Sequence, residues 1–262
     1  MNRTYLKTLA LAAVATFAVA GGAQAQVVGA SSDTDNVNIG PSTVNGGPHR
    51  SGRPGIGVPN TGLITRVDFQ GLQSSSPPTA DGVTTISRIT GTTTDHSRYG
   101  RFDFAKVGSE DLYFGEWSQT GSATAGDHTV YYAGTSTGTT VPTSGSATYA
   151  VKGISDYANK GLLTGTFTAD FASGTSGTLT GSIANSASGY GVDIGTASIT
   201  TDATFAGIGA SATQSGTTVA SGGAVNGRFF GANAAALAGI VKFGDGTTSV
   251  RQYDAAFGGT NN

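Results

Sequence analysis

The sequence predicts an all-β protein: a small N-terminal antiparallel domain followed by a C-terminal eight-stranded antiparallel β-barrel. Three observations carry that reading. Glycine makes up 42 of the 262 residues, serine and threonine are abundant, and no long amphipathic helix is visible. Large apolar residues alternate with polar ones at period two, as in strands that bury one face. Gly/Ser/Thr/Asn clusters break these runs at short intervals, as turns do in small barrels.

Residues 1–25 read as a signal peptide. Arg3 and Lys7 supply a positive start, Leu9 to Ala20 is an apolar run, and Ala23-Gln24-Ala25 is an A-x-A cleavage site. The run is far shorter than the roughly 20 residues that span a bilayer. Cleavage leaves 262 minus 25, or 237, residues beginning at Gln26. Loss of Arg3 and Lys7 leaves 12 basic residues of the original 14 against 16 acidic ones. There is no basic run, so no nucleic-acid partner is expected. The chain has no cysteine, so disulfides are excluded and stability must come from core burial. A cysteine-linked lipid anchor is excluded for the same reason, and a secreted monomer is expected.

Residues 26–145 are expected to form the N-terminal, ligand-binding domain. Up to about Asn60 the segment is rich in Gly, Pro and Asn and reads as a long loop or floppy arm. Strands are expected at Leu63–Phe69, Val83–Thr90, Tyr99–Val107, Leu112–Ser118 and Thr129–Ala133.

Residues 146–262 are expected to form the barrel. Tyr149–Val151 opens it. Leu163, Phe167 and Phe171 follow, then Leu179 and Ile183, then Tyr190, Val192 and Ile194, then Phe205. Val225 and Phe229 precede a short helical turn at Asn233–Ala236; Leu237, Val241 and Phe243 come after it, and Arg251–Phe257 closes the chain. Phe167, Leu179, Leu237 and Val241 should point inward. A membrane barrel would need an apolar exterior and a polar lumen, and the apolar face is too sparse both to fill a barrel and to coat it.

The chemistry on offer is narrow. The only methionine is Met1, so an iron or haem ligand after cleavage must be His, Tyr or a carboxylate. The three histidines, His49, His96 and His128, all lie in the N-terminal domain with the only tryptophan. Taken singly, a histidine is more often a solvated loop residue than a ligand, and no H-x-x-x-H spacing occurs. Arg50, Arg53, Arg98 and Arg101 are candidates to pair with haem propionates. Tyr113, Phe114, Trp117, Tyr131 and Tyr132 are candidates to wall a macrocycle. No nucleophile elbow, paired-carboxylate pattern or phosphate loop is present, so an enzyme is not expected.

The Phe229–Phe230 hairpin resembles the penultimate hairpin of the transferrin-binding-protein-B and factor-H-binding-protein barrels. Those two lipoproteins carry a lipid-anchoring cysteine, which this chain lacks. With the signal, the domain order and the run from Arg98-Tyr99-Gly100-Arg101-Phe102 through Glu116-Trp117, the chain resembles a hemophilin. That resemblance implies a secreted carrier of non-covalent haem b whose iron is held by histidine. It also implies delivery to an outer-membrane haem receptor and export by an outer-membrane translocon of the surface lipoprotein assembly modulator type. The alternative is a soluble host-protein-binding module of the factor-H or transferrin-binding type. The placement of the residues favours His49 and His128 as axial ligands, His49 on a lid-like Gly/Pro loop and His128 at a strand start with an accessible ring. His96, in a turn beside Asp95, is the reserve.

Overall fold

The computed structural model describes residues 26–90, 98–172, 177–244 and 250–262; the expected signal segment and His96 lie outside them. The N-terminal half begins with β1 (Val27–Ser31), β2 (Asn38–Pro41), β3 (Pro54–Val58) and β4 (Leu63–Asp68), after which the short helix α1 (Phe69–Ser75) follows directly. It continues with β5 (Val83–Arg88), β6 (Gly100–Lys106), β7 (Leu112–Ser118) and β8 (Thr129–Thr135). Two antiparallel sheets result, one of order β1-β8-β7-β6-β5 and one of order β2-β3-β4.

The five-stranded sheet is buried on both faces, and its period-two pattern sorts the residues. Leu112 and Phe114 of β7 and Val130 and Tyr132 of β8 pack against Phe230, Ala238, Ile240 and Ala256 of the C-terminal half. Their neighbours Tyr113, Trp117, Tyr131 and Ala133 face the other way, onto Ile56, Val58 and Phe69. Phe69 stacks between Tyr113 and Tyr131, at centroid distances of 5.0 and 5.7 Å.

The C-terminal half is a closed antiparallel barrel of eight strands. They are β9 (Ser146–Ile154), β10 (Leu163–Asp170), β11 (Thr178–Asn185), β12 (Tyr190–Ile199), β13 (Thr204–Gln214), β14 (Thr217–Phe230), β15 (Ala236–Lys242) and β16 (Ala255–Asn261). β16 pairs with β9 and completes the ring. Phe167, Leu179, Leu237 and Val241 are fully buried in its apolar interior. Outward positions on β10 carry exposed Thr164, Thr166, Thr168 and Asp170, the reverse of a membrane barrel's pattern. A second short helix, α2 (Tyr157–Lys160), lies between β9 and β10.

The stretch before Asn60 is not a floppy arm. β1 pairs along its whole length with β8, and every residue of β3 is buried. Its glycines serve packing: a Cβ on Gly55 would lie 2.9 Å from the Val67 carbonyl and 3.1 Å from Ser42 Cα. α1, which the strand pattern also overlooked, begins at Asp68, whose side chain accepts the Gly71 N–H at 2.8 Å.

Candidate functional site

A cavity of about 440 Å³ opens where β4 and α1 meet the β5–β6 edge of the larger sheet. Its wall is largely apolar: Leu63 and Val67 from β4, Leu72 from α1, Ile86 from β5 and Phe102 from β6. Strand alternation produces that wall, because Leu63, Thr65 and Val67 share one face of β4 while Ile64 is 75% exposed. Ser75 and Ser76 at the end of α1, Tyr99, Arg88 and His49 supply the polar groups. Size and lining are those of a pocket for a largely apolar small molecule.

His49 is seated by a tight turn. Its N–H and carbonyl both bond Gly46, at 3.1 and 3.2 Å, with Gly47 at φ +58° between them. The ring's Nδ1 lies 3.0 Å from Asp68 Oδ2. Asp68 is fully buried and also accepts the Arg50 N–H, at 2.9 Å. Nε2, on the opposite side of the ring, has no hydrogen-bond partner among the described residues.

His128 is placed differently, and the structure does not bring it together with His49. The accessible ring expected at a strand start is 1% exposed, because the β8 face it joins is covered by the barrel. Nδ1 donates to the Arg251 carbonyl at 2.8 Å and Nε2 to Glu116 Oε2 at 2.9 Å. Glu116 in turn accepts the N–H groups of Asp156 and Tyr157, at 2.5 and 2.6 Å. Burial alone would lower the pKa of His128, but the Glu116 hydrogen bond and charge outweigh it and hold the ring above its ordinary value. Burial likewise opposes ionisation of Glu116, yet the His128 bond and charge keep its carboxyl below the usual value. In this arrangement His128 offers no nitrogen to an iron. It ties the N-terminal sheet to the barrel.

Other candidates separate in the same way. Tyr113, Phe114, Trp117, Tyr131 and Tyr132 are core residues on the two faces of the sheet, not cavity walls. Arg101 is 2.6 Å from Asp103 on the sheet, and Arg53 bonds Gln70. Arg50 and Arg98 are exposed and do not line the cavity. Arg88, which does line it, was not singled out from sequence. Nor were Leu63, Val67, Leu72 and Ile86 read as a binding wall; they appear as ordinary strand or loop apolar residues until β4 is laid beside β5. Among the described residues no cluster of three or more His, Cys, Asp or Glu could cage a bare metal ion. A single histidine nitrogen beside an apolar slot suits a metal that brings its own planar ligand.

Comparison with known proteins adds two kinds of likeness. Residues 22–129 match the family model described as the HphA N-terminal heme-binding domain, and residues 139–261 match that of the HphA C-terminal domain. Among solved structures, a double mutant of transferrin-binding protein B from Haemophilus parasuis is 20% identical, covers 69% of this chain and 37% of its own, and has a TM-score of 0.39. An intact transferrin-binding protein B with N and C lobes is 18% identical over 74% of this chain and 41% of its own, at TM-score 0.43. A surface lipoprotein is 16% identical over 88% of this chain and 100% of its own, at TM-score 0.40. The chain thus spans about two fifths of the length of these two transferrin-binding structures.

Proposed function

We propose that this chain, which belongs to the HphA (hemophilin) family, is a secreted haem carrier that takes non-covalent haem b into the β4–β5 cavity and holds its iron through His49 Nε2. The observation that carries the reading is the pairing of an unengaged imidazole nitrogen with an apolar slot inside the matched heme-binding domain. Leu63, Val67, Leu72, Ile86 and Phe102 would lie against the ring faces, and Arg88 at the cavity would meet a propionate by charge-assisted pairing. Bound haem would supply an open iron coordination position, and His49 Nε2 would offer it a lone pair. Cleavage after Ala25, release without a lipid anchor, export by a surface-lipoprotein-assembly-modulator-type translocon and hand-over to an outer-membrane receptor complete the reading.

Absorption spectra after adding hemin test it. The wild type should develop a sharp Soret band, His49→Ala should lose or shift it, and His128→Ala should keep it. Spectra of His96→Ala complete the set: loss of the band there, with His49→Ala unchanged, would move the iron ligand away from the cavity described above.

A further inference from the structure

We infer that Asp68 is the positioning residue of the iron site: it fixes which nitrogen of His49 faces the iron and places negative charge behind it. The inference rests on His49 being the ligand and goes on to say what makes it one. Asp68 is fully buried and its carboxylate accepts three N–H groups. Oδ1 takes the Gly71 amide at 2.8 Å. Oδ2 takes the Arg50 amide at 2.9 Å and His49 Nδ1 at 3.0 Å. A carboxylate has no proton to give, so Nδ1 must carry the hydrogen. The lone pair is then on Nε2, the nitrogen without a partner among the described residues. A carboxylate behind a ligating imidazole fixes ring orientation and raises ligand basicity.

The surroundings are built for this contact. A Cβ on Gly71 would overlap His49 Nδ1 and stand 2.9 Å from the Pro48 carbonyl and 3.0 Å from Asp68 Oδ2. Only glycine leaves room there for the ring to approach the carboxylate. Asp68 also caps α1, whose Leu72 and Ser75 line the cavity together with Ser76 just beyond it. One side chain therefore sets both the ligand's tautomer and one cavity wall.

Asp68→Asn separates this role from a merely structural one. An amide can satisfy the Gly71 side or the Arg50 and His49 side, but not both, and in either orientation the charge is gone. Haem titration, haem dissociation kinetics and the reduction potential of the bound iron are measured on the full protein. The expected result for Asp68→Asn is about 10–100-fold weaker haem binding, faster dissociation and a raised potential. Ser74→Gly, which weakens α1 at an exposed position without touching His49, serves as the control and should leave spectrum and potential unchanged. If Asp68→Asn binds haem with wild-type affinity and potential, the inference is overturned. If Ser74→Gly reproduces every change, the role is structural and the inference is likewise overturned. A wild type that forms no haem complex, or one that His49→Ala does not alter, overturns the reading of the site instead.

Discussion

His49 and His128 face buried carboxylates at almost the same distance, 3.0 Å to Asp68 and 2.9 Å to Glu116. The pair contacts look alike, and what separates them is the other side of the ring. His49 leaves Nε2 unengaged beside a cavity, and its side chain is 18% exposed. His128 donates from both nitrogens, to Glu116 and to the Arg251 carbonyl, and is sealed between sheet and barrel. Two donated hydrogen bonds require the doubly protonated ring, which cannot also be a ligand. A His–carboxylate pair thus leaves a nitrogen open or closes a clasp according to what its distal nitrogen meets.

The largest expected effect lies on the clasp. His128→Ala leaves Glu116 ionised, buried and stripped of its charge partner, which should cost about 3–5 kcal/mol. Chemical denaturation should show it, while any haem that binds should keep the wild-type Soret band. His49→Ala should do the opposite. Stability should fall by about 1 kcal/mol, because buried Asp68 loses one hydrogen bond but keeps those from the Arg50 and Gly71 amides. Haem affinity should fall by at least about 100-fold, or about 2.7 kcal/mol. If both variants lose stability equally, the contrast between the two histidines fails.

A pH series sharpens the clasp side. Burial raises the pKa of Asp254 from 3.8 to about 6, although it accepts the Phe243 N–H. His128 is also raised, from 6.5. In both cases the folded state holds its proton more tightly than the unfolded one, so stability falls as pH rises. The Asp254 contribution is lost between about pH 4 and 6, and that of His128 from near 6.5 upward, through its folded pKa. Glu116 is depressed, so its contribution is present above its unfolded value of 4.5 and is lost as acid protonates it. Melting temperatures should therefore decline above neutrality, and Asp254→Asn should flatten the slope between about pH 4 and 6 by about 1–2 kcal/mol. A melting temperature that rises steadily from pH 6 to 9 would count against the charged clasp. The smallest effect is expected at Gly71→Ala, where a displaced His49 ring should weaken haem binding about tenfold, the low end for outer-shell changes, with β-sheet circular dichroism unchanged.

Much of the architecture was legible because strands announce themselves by alternation. Leu112, Phe114 and Tyr113, Trp117 advertise two buried faces of one strand, and the barrel strands each show one. β1 to β3 were illegible for a local reason. Gly29, Gly40, Gly55 and Gly57 interrupt the apolar pattern at places where backbone or side chains press close, and in sequence such glycines look like flexibility. The family resemblance could be read from residues, but the cavity that His49 lines could not. Its wall joins Leu63 and Val67 to Ile86 and Phe102, and no local rule says that β4 lies beside the β5–β6 edge. His128 was misplaced because alternation tells which face a residue is on without telling what covers that face. One signal was available: Glu116 continues the apolar stripe of Leu112 and Phe114, and a charge in such a stripe asks for a buried partner.

The doubly covered sheet also sets a timetable. Its second face is completed by Phe230, Ala238, Ile240 and Ala256, and the His128 clasp by the Arg251 carbonyl, all from the last 33 residues of the chain (262 minus 229). A chain that emerges N-terminus first therefore presents β7 and β8 long before these residues can cover that face. Such long-range closure makes folding slow and late. Hydrogen-exchange protection of β7 should consequently appear together with that of β16 rather than ahead of it, so that the haem-side domain matures only when the final strand arrives.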